Sequence, residues 1–268
     1  MADCTHNCST CSSKCSEIEY LSLHEGTHVK QIIGVVSGKG GVGKSLVTSL
    51  IASRMAREGY KVGILDADLT GPSIPKAFGL SGMLEGDKDG IYPATSKEGI
   101  KVVSVNLLVE DETNPIIYRG PALSGLVTQL YKDVKYGDLD YLFIDMPPGT
   151  ADVNLTILKQ IPLTGLIIVS TPQDLVRVIV EKSLKMADIL NVKVLGLVEN
   201  MSYITCECCG NKLYPFGQSH AEKIVSDFNI PLLGELPIDS KIAKLVDEGN
   251  ISSYFCEELD PLVSKIAL

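Results

Sequence analysis

The sequence predicts an α/β fold with a doubly wound, mostly parallel sheet, and three observations support it. Strand-like and helix-like segments alternate from Gln31 onward. Most strand candidates are β-branched runs without polar alternation, the pattern of strands covered on both faces. A glycine-rich turn, Gly38-Lys39-Gly40-Gly41-Val42-Gly43-Lys44-Ser45, joins the first strand candidate to the first helix candidate. The chain has 268 residues and is 45% hydrophobic, which suits one domain with a substantial core.

In chain order, Ile32–Ser37 reads as a strand buried through Ile32-Ile33-Gly34-Val35-Val36, and Lys44–Glu58 as the helix after it. Lys61–Asp66 is the second strand, carried by Val62-Gly63-Ile64-Leu65. The stretch 81–99 is rich in Gly, Asp and Lys and reads as a mobile loop. Lys101–Asn106 follows as a strand, Ala122–Tyr131 as a helix and Tyr141–Asp145 as a strand. Helix Val153–Lys159, strand Gly165–Ser170, helix Asp174–Leu190 and strand Val192–Glu199 continue the alternation. Helix Gly217–Phe228, strand Leu232–Leu236, helix Ser240–Glu248 and a last helix near Pro261–Ala267 complete it. Residues 1–26 are polar and cysteine-rich with little apolar periodicity, so they read as an appended extension, with the main domain over 31–268.

The glycine turn fits the Walker A pattern G-x-x-x-x-G-K-[ST] and has the strand–loop–helix context the motif needs. Its glycines let backbone N–H groups turn toward phosphate oxygens, and the helix N-terminus adds partial positive charge. Lys44 is the candidate for the β and γ phosphates of ATP, and Ser45 for Mg²⁺. Lys39 adds a second lysine. With it the loop resembles the deviant Walker A motif K-G-G-x-G-K-[ST] of the MinD, ParA, nitrogenase iron protein and arsenite ATPase group. The resemblance implies that Lys39 crosses a homodimer interface to the partner's nucleotide.

Charge and composition narrow the function classes. The formal net charge is −9 and no long basic run appears, so nucleic acid is not expected as a partner. No apolar run reaches about 18 residues, so no transmembrane helix is expected. The N-terminus is unlike a signal peptide, and a cytoplasmic location is expected. There disulfides are rare, and clustered members of the eight cysteines more often hold metal.

Two carboxylate motifs end strand candidates, where a P-loop site needs them: Asp66-Ala67-Asp68 and Asp145-Met146-Pro147-Pro148-Gly149-Thr150. Carboxylates there can hold Mg²⁺, directly or through water, or orient an attacking water. Together with Arg119-Gly120-Pro121, Asp152, Thr171-Pro172-Gln173-Asp174 and Glu199-Asn200-Met201-Ser202, these motifs resemble the Mrp/ApbC family of P-loop ATPases that carry iron–sulfur clusters. The resemblance covers about residues 31–248. It implies that Asp68 positions the hydrolytic water, that Asp66 and Asp145 support Mg²⁺, and that Asn200 lies near the adenine. Leu236-Pro237-Ile238-Asp239 matches the family's late loop, which puts Pro237 beside the base.

Cys206 and Cys209, in Cys206-Glu207-Cys208-Cys209-Gly210, form a C-x-x-C pair that can present two thiolates to one metal centre. One pair is half of a four-cysteine site, and a two-fold homodimer supplies the other half. On residues alone, a redox dithiol and a zinc knuckle also fit. The resemblance implies a [4Fe–4S] cluster bridging two subunits, delivered to apo iron–sulfur proteins. The family usually has a non-cysteine at the position of Cys208, which leaves open which thiols ligate. Cys4, Cys8, Cys11 and Cys15 form C-x₃-C-x₂-C-x₃-C, close to the ferredoxin run, and on a helix they would share one face. They are candidates for a second cluster or zinc, with His6 able to replace one thiol. Cys256 stands alone and reads as an apolar packing residue. Two rivals to a cluster carrier are a MinD/ParA-like spatial-organisation ATPase and an iron-protein-like reductase. The first uses basic membrane or DNA surfaces, whereas the tail Glu257-Glu258-Leu259-Asp260-Pro261 is acidic. The second uses ligand cysteines far apart in sequence, unlike Cys206 and Cys209.

Overall fold

The computed structural model of the chain describes residues 20–68, 73–108, 120–149, 151–172 and 176–267. Cys4, Cys8, Cys11 and Cys15 lie outside these residues, as do residues 69–72, 119, 150, 173 and 174 of the family motifs. The elements are β1 (His28–Ser37), α1 (Lys44–Arg57), β2 (Val62–Asp66), α2 (Ser73–Ala77), β3 (Gly86–Asp87), β4 (Gly90–Ile91), β5 (Ala94–Thr95) and β6 (Lys101–Ser104). Then come α3 (Gly120–Lys132), β7 (Asp138–Asp145), α4 (Asp152–Gln160), β8 (Gly165–Ser170), α5 (Val176–Ile189) and β9 (Val194–Glu199). The chain closes with β10 (Ile204–Thr205), β11 (Lys212–Leu213), α6 (Ala221–Phe228), β12 (Leu232–Glu235), α7 (Ser240–Asp247) and α8 (Leu259–Ile266).

The main sheet has eight strands in the order β12-β9-β8-β1-β7-β2-β6-β5, parallel except for the edge pair β5 and β6. Side chains alternate between its two faces. Ile33 and Val35 of β1 face α1, α2, α7 and α8, while Ile32 and Val36 face α3, α4, α5 and α6. Both faces are therefore covered, which is why β2 and β8 are buried at every position. The chain runs from β1 outward to β2 and, after β7, crosses β1 to reach β8. The loop after β1 thus opens at the topological switch point, the usual place for a ligand in such sheets. Parallel pairing of β2 with β7 sets Asp66 directly opposite Asp145 at the strands' carboxyl ends.

Two segments differ from their sequence expectation. The stretch expected to be a loop over 81–99 contains the β3–β4 hairpin and the edge strand β5. For the hairpin the cause is local: the Asp87 carboxylate accepts the backbone N–H groups of Asp89 at 2.9 Å and Gly90 at 3.1 Å, closing an Asx-type turn. Lys135 Nζ at 2.7 Å and the Tyr92 hydroxyl at 2.5 Å hold the same carboxylate and keep it below the usual carboxylate range. The strand expected to reach Asn106 ends at Ser104 and gives way to a 3₁₀ turn over Val105–Leu108. There the Ser104 hydroxyl accepts the Asn106 N–H at 3.1 Å, offering the backbone an alternative to the ladder.

Residues 20–26 belong to the body of the fold. Leu21 N–H donates to the Gln160 carbonyl at 2.8 Å, the His24 ring donates to the Asp89 carbonyl at 2.5 Å, and Leu21 and Leu23 pack on the second core layer. Among the described residues, no helix is long and apolar enough to cross a membrane.

Candidate nucleotide site and thiol turn

The glycine loop after β1 wraps a recess of about 270 Å³, lined by Ser37, Gly40 to Leu46, Asp68, Ser73 and Pro148. Its curvature depends on Gly43, which has φ +79°. A Cβ there would lie 2.3 Å from Asn200 Nδ2, so any side chain would both strain the backbone and dislodge the asparagine. Asn200 Nδ2 donates to the Val42 carbonyl at 2.9 Å and ties the loop to the end of β9. Val47 N–H bonds to the Gly43 carbonyl at 2.9 Å to open α1, and the Ser37 hydroxyl donates to the Lys39 carbonyl at 3.0 Å.

Lys44 is buried among carboxylates. Its Nζ lies 2.7 Å from Asp145 Oδ2 and 3.3 Å from Asp68 Oδ2. Asp145 is fully buried and also accepts the Ser45 hydroxyl at 2.5 Å and the Thr48 hydroxyl at 3.0 Å. Asp66 accepts the Ser104 hydroxyl at 2.9 Å and the Asp68 N–H at 3.1 Å. Burial raises both carboxyls; for Asp66 the neighbouring Asp145 charge raises it further, and for Asp145 the Lys44 charge offsets part of the effect. Two adjacent buried carboxylates with one lysine are a site that gains from a cation. A carboxyl raised in the folded state favours folding at low pH and opposes it as pH climbs from the ordinary value near 3.8 through the raised one. Asp66→Asn is therefore expected to stabilise the nucleotide-free protein by about 0.5–2 kcal/mol at neutral pH. Urea midpoints from pH 4 to 8 should show the gain widening as pH rises; a variant less stable than the parent at pH 8 contradicts this electrostatic reading.

Thr48, Ser104 and Asn154 are site residues that the sequence reading missed. Thr48 was legible in part, lying one helical turn after Lys44 on the same face of α1. Ser104 is 38 residues from its partner Asp66, and nothing local announces it. Asn154 of α4 donates to the carbonyls of Pro147 at 2.8 Å and Gly149 at 2.7 Å, holding the turn after Asp145.

On the far side of the loop, buried Glu199 accepts the hydroxyls of Ser202 at 3.2 Å and Ser219 at 3.0 Å, and so fixes the turn that carries Asn200. Pro237 lines a separate recess of about 400 Å³ with Ile204, Thr205, Glu207, Ile238, Asp239, Ser240 and Lys241. Gly40 to Ser45 and Asp68 thus meet around Lys44, Asn200 ties in through Val42, and Pro237 lies apart, beside the hairpin that carries the cysteines.

That hairpin is β10–β11, closed by Cys206 N–H on the Asn211 carbonyl at 2.9 Å and Gly210 N–H on the Cys206 carbonyl at 2.8 Å. Gly210 takes φ +72°, which ends the turn without a side-chain clash. Cys208 and Cys209 are exposed and Cys206 is half-buried. The backbone N–H groups of Cys208 and Cys209 point at the Cys206 sulfur and hold its thiol below the ordinary range, which favours the thiolate that binds metal. Cys256 packs partly buried against the first core layer, and burial pushes its thiol up to about 12, as befits an apolar packing residue.

Comparison with known proteins identifies the family. Residues 28–267 match the ParA-type family model described as the NUBPL iron-transfer P-loop NTPase. The iron-sulfur cluster carrier protein of Clostridium perfringens is 47% identical over 247 residues, covering 89% of this chain and 86% of that protein. A solved nucleotide-binding protein in complex with ADP from Archaeoglobus fulgidus superposes with a TM-score of 0.77 at 41% identity, covering 87% of this chain and 91% of that one. The septum site-determining protein MinD of Pyrococcus horikoshii, complexed with Mg-ADP, shares the fold with a TM-score of 0.64 at 21% identity, covering 90% and 96%. The chain belongs to the Mrp/ApbC family of iron-transfer P-loop NTPases.

Proposed function

We propose that this protein is an ATP-dependent iron–sulfur cluster carrier, in which two chains share one [4Fe–4S] cluster as cargo and release it to apo-proteins. The observation that carries the reading is the exposed Cys206–Cys209 turn, with its amide-stabilised Cys206 sulfur, on the same chain as a complete P-loop. Relatives named as cluster carriers support it. Two thiolates per chain make four per dimer, the number such a cluster takes.

The residues around Lys44 fit Mg²⁺ and a nucleoside triphosphate. The loop amides and Lys44 would bind the phosphates, and Ser45 and Asp66 would hold Mg²⁺ with support from Asp145. When bound, Mg²⁺ would neutralise charge that develops on the phosphates. Asp68, 3.3 Å from Lys44, orients the attacking water, and Lys39 reaches the partner chain's nucleotide. Asn200 and Pro237 flank the base. Hydrolysis is slow and switch-like, as in P-loop switch proteins, where catalysis is positioning plus electrostatic stabilisation. Cys4, Cys8, Cys11 and Cys15 form a second metal centre, for a cluster or for zinc.

Transfer tests the reading. A carrier loaded under anaerobic conditions is mixed with an apo iron–sulfur protein and Mg²⁺-ATP, and the two are separated. Iron and sulfide should move together to the recipient; a recipient that is reduced but gains neither contradicts the carrier role and favours a reductase.

A further inference from the structure

Tyr203 joins the two sites. It is 1% exposed and lies between the turn carrying Asn200 and the strand β10. Its carbonyl accepts the Ile238 N–H at 2.7 Å, from the stretch assigned to the base. Its hydroxyl donates to the Glu258 carboxylate just before α8, a charge-assisted bond in a part-buried setting. Lys212 of β11 sits 3.7 Å above its ring, and Tyr214 meets the ring edge-on at 6.5 Å. Both arms of the cysteine hairpin are therefore pinned at its root on one side chain. β10 is only two residues long, so Cys206 follows the root with little slack.

We propose that Tyr203 is a positioning residue that couples the nucleotide loop at Ile238 to the hold of the Cys206–Cys209 turn on its cargo. The inference rests on the cluster reading of that turn. A shift of Ile238 on nucleotide binding moves Tyr203, and Glu258 limits how far it goes. Coupling of this kind is reciprocal, so the cluster in turn changes nucleotide affinity.

The test uses the full-length chain with Cys4→Ser, Cys8→Ser, Cys11→Ser and Cys15→Ser, reconstituted anaerobically with ferrous iron and sulfide. The readout is the half-time of cluster loss to an iron chelator, with and without Mg²⁺-ATP. Tyr203→Phe keeps the ring and the Lys212 contact but deletes the hydroxyl. It should shorten the half-time about tenfold, in the range of losses seen when outer-shell partners are removed. It should also bring the ratio of half-times with and without ATP to about one, while ATP hydrolysis by the cluster-free protein stays at the parent rate. Glu258→Gln retains an acceptor and should keep the parent ratio. A Tyr203→Phe protein with the parent half-time and ratio overturns the inference, as does a variant that only melts earlier. A parent whose half-time ATP does not change overturns it too. If the parent takes up no iron and sulfide, the cluster reading itself falls.

Discussion

Lys44→Ala is expected to abolish ATP hydrolysis and to weaken the fold at once. Removing a cation that clamps the transferring phosphates costs about 10²–10³ in rate. The second effect comes from the carboxylates: Lys44 Nζ pairs with both Asp145, at 2.7 Å, and Asp68, at 3.3 Å. Breaking a buried pair on one side leaves an uncompensated charge and costs about 3 kcal/mol or more. The sign of the pH dependence follows. Without Lys44 the Asp145 carboxyl, already raised by burial, rises further. The penalty should then be smaller at pH 5 than at pH 8, because acid favours the protonated Asp145 carboxyl. Urea unfolding at the two pH values, with nucleotide affinity measured alongside, checks this. Unchanged affinity and hydrolysis in the variant would sink the nucleotide assignment.

The double substitution Cys206→Ala, Cys209→Ala is expected to separate cargo from engine. Cys209 is exposed and Cys206 half-buried, and neither belongs to a core layer, so the melting point should move little. The recess around the glycine loop is lined by no residue of the hairpin, and hydrolysis should persist. Retention of the bridging cluster should fall at least 100-fold, because both of its proposed ligands are gone from each chain.

What could be read from the sequence followed the range of the forces involved. The P-loop is a local motif whose glycines, lysine and serine act within eight residues, so Gly43, Lys44 and Ser45 were legible outright. Strand-end carboxylates were legible as positions, but the adjacency of Asp66 and Asp145 is created by β2–β7 pairing between distant segments. The parallel strands announced themselves as β-branched runs, whereas β3, β4 and β5 are two residues each: β3 and β4 meet at the Asp87 turn, and β5 pairs antiparallel with β6. The C-x-x-C spacing gave the thiols. The support beneath them, Tyr203 on Glu258 across 55 residues, left no mark in the sequence because it is purely tertiary.

The most direct measurement is anaerobic iron, acid-labile sulfide and zinc analysis, with mass in solution, on the full-length chain carrying serine substitutions at Cys4, Cys8, Cys11 and Cys15. The expected result is a dimer with about four iron and four sulfide per two chains, both lost when Cys206 and Cys209 are also replaced. Zinc without sulfide, or iron and sulfide that survive the loss of Cys206 and Cys209, would contradict a shared cluster on this thiol turn.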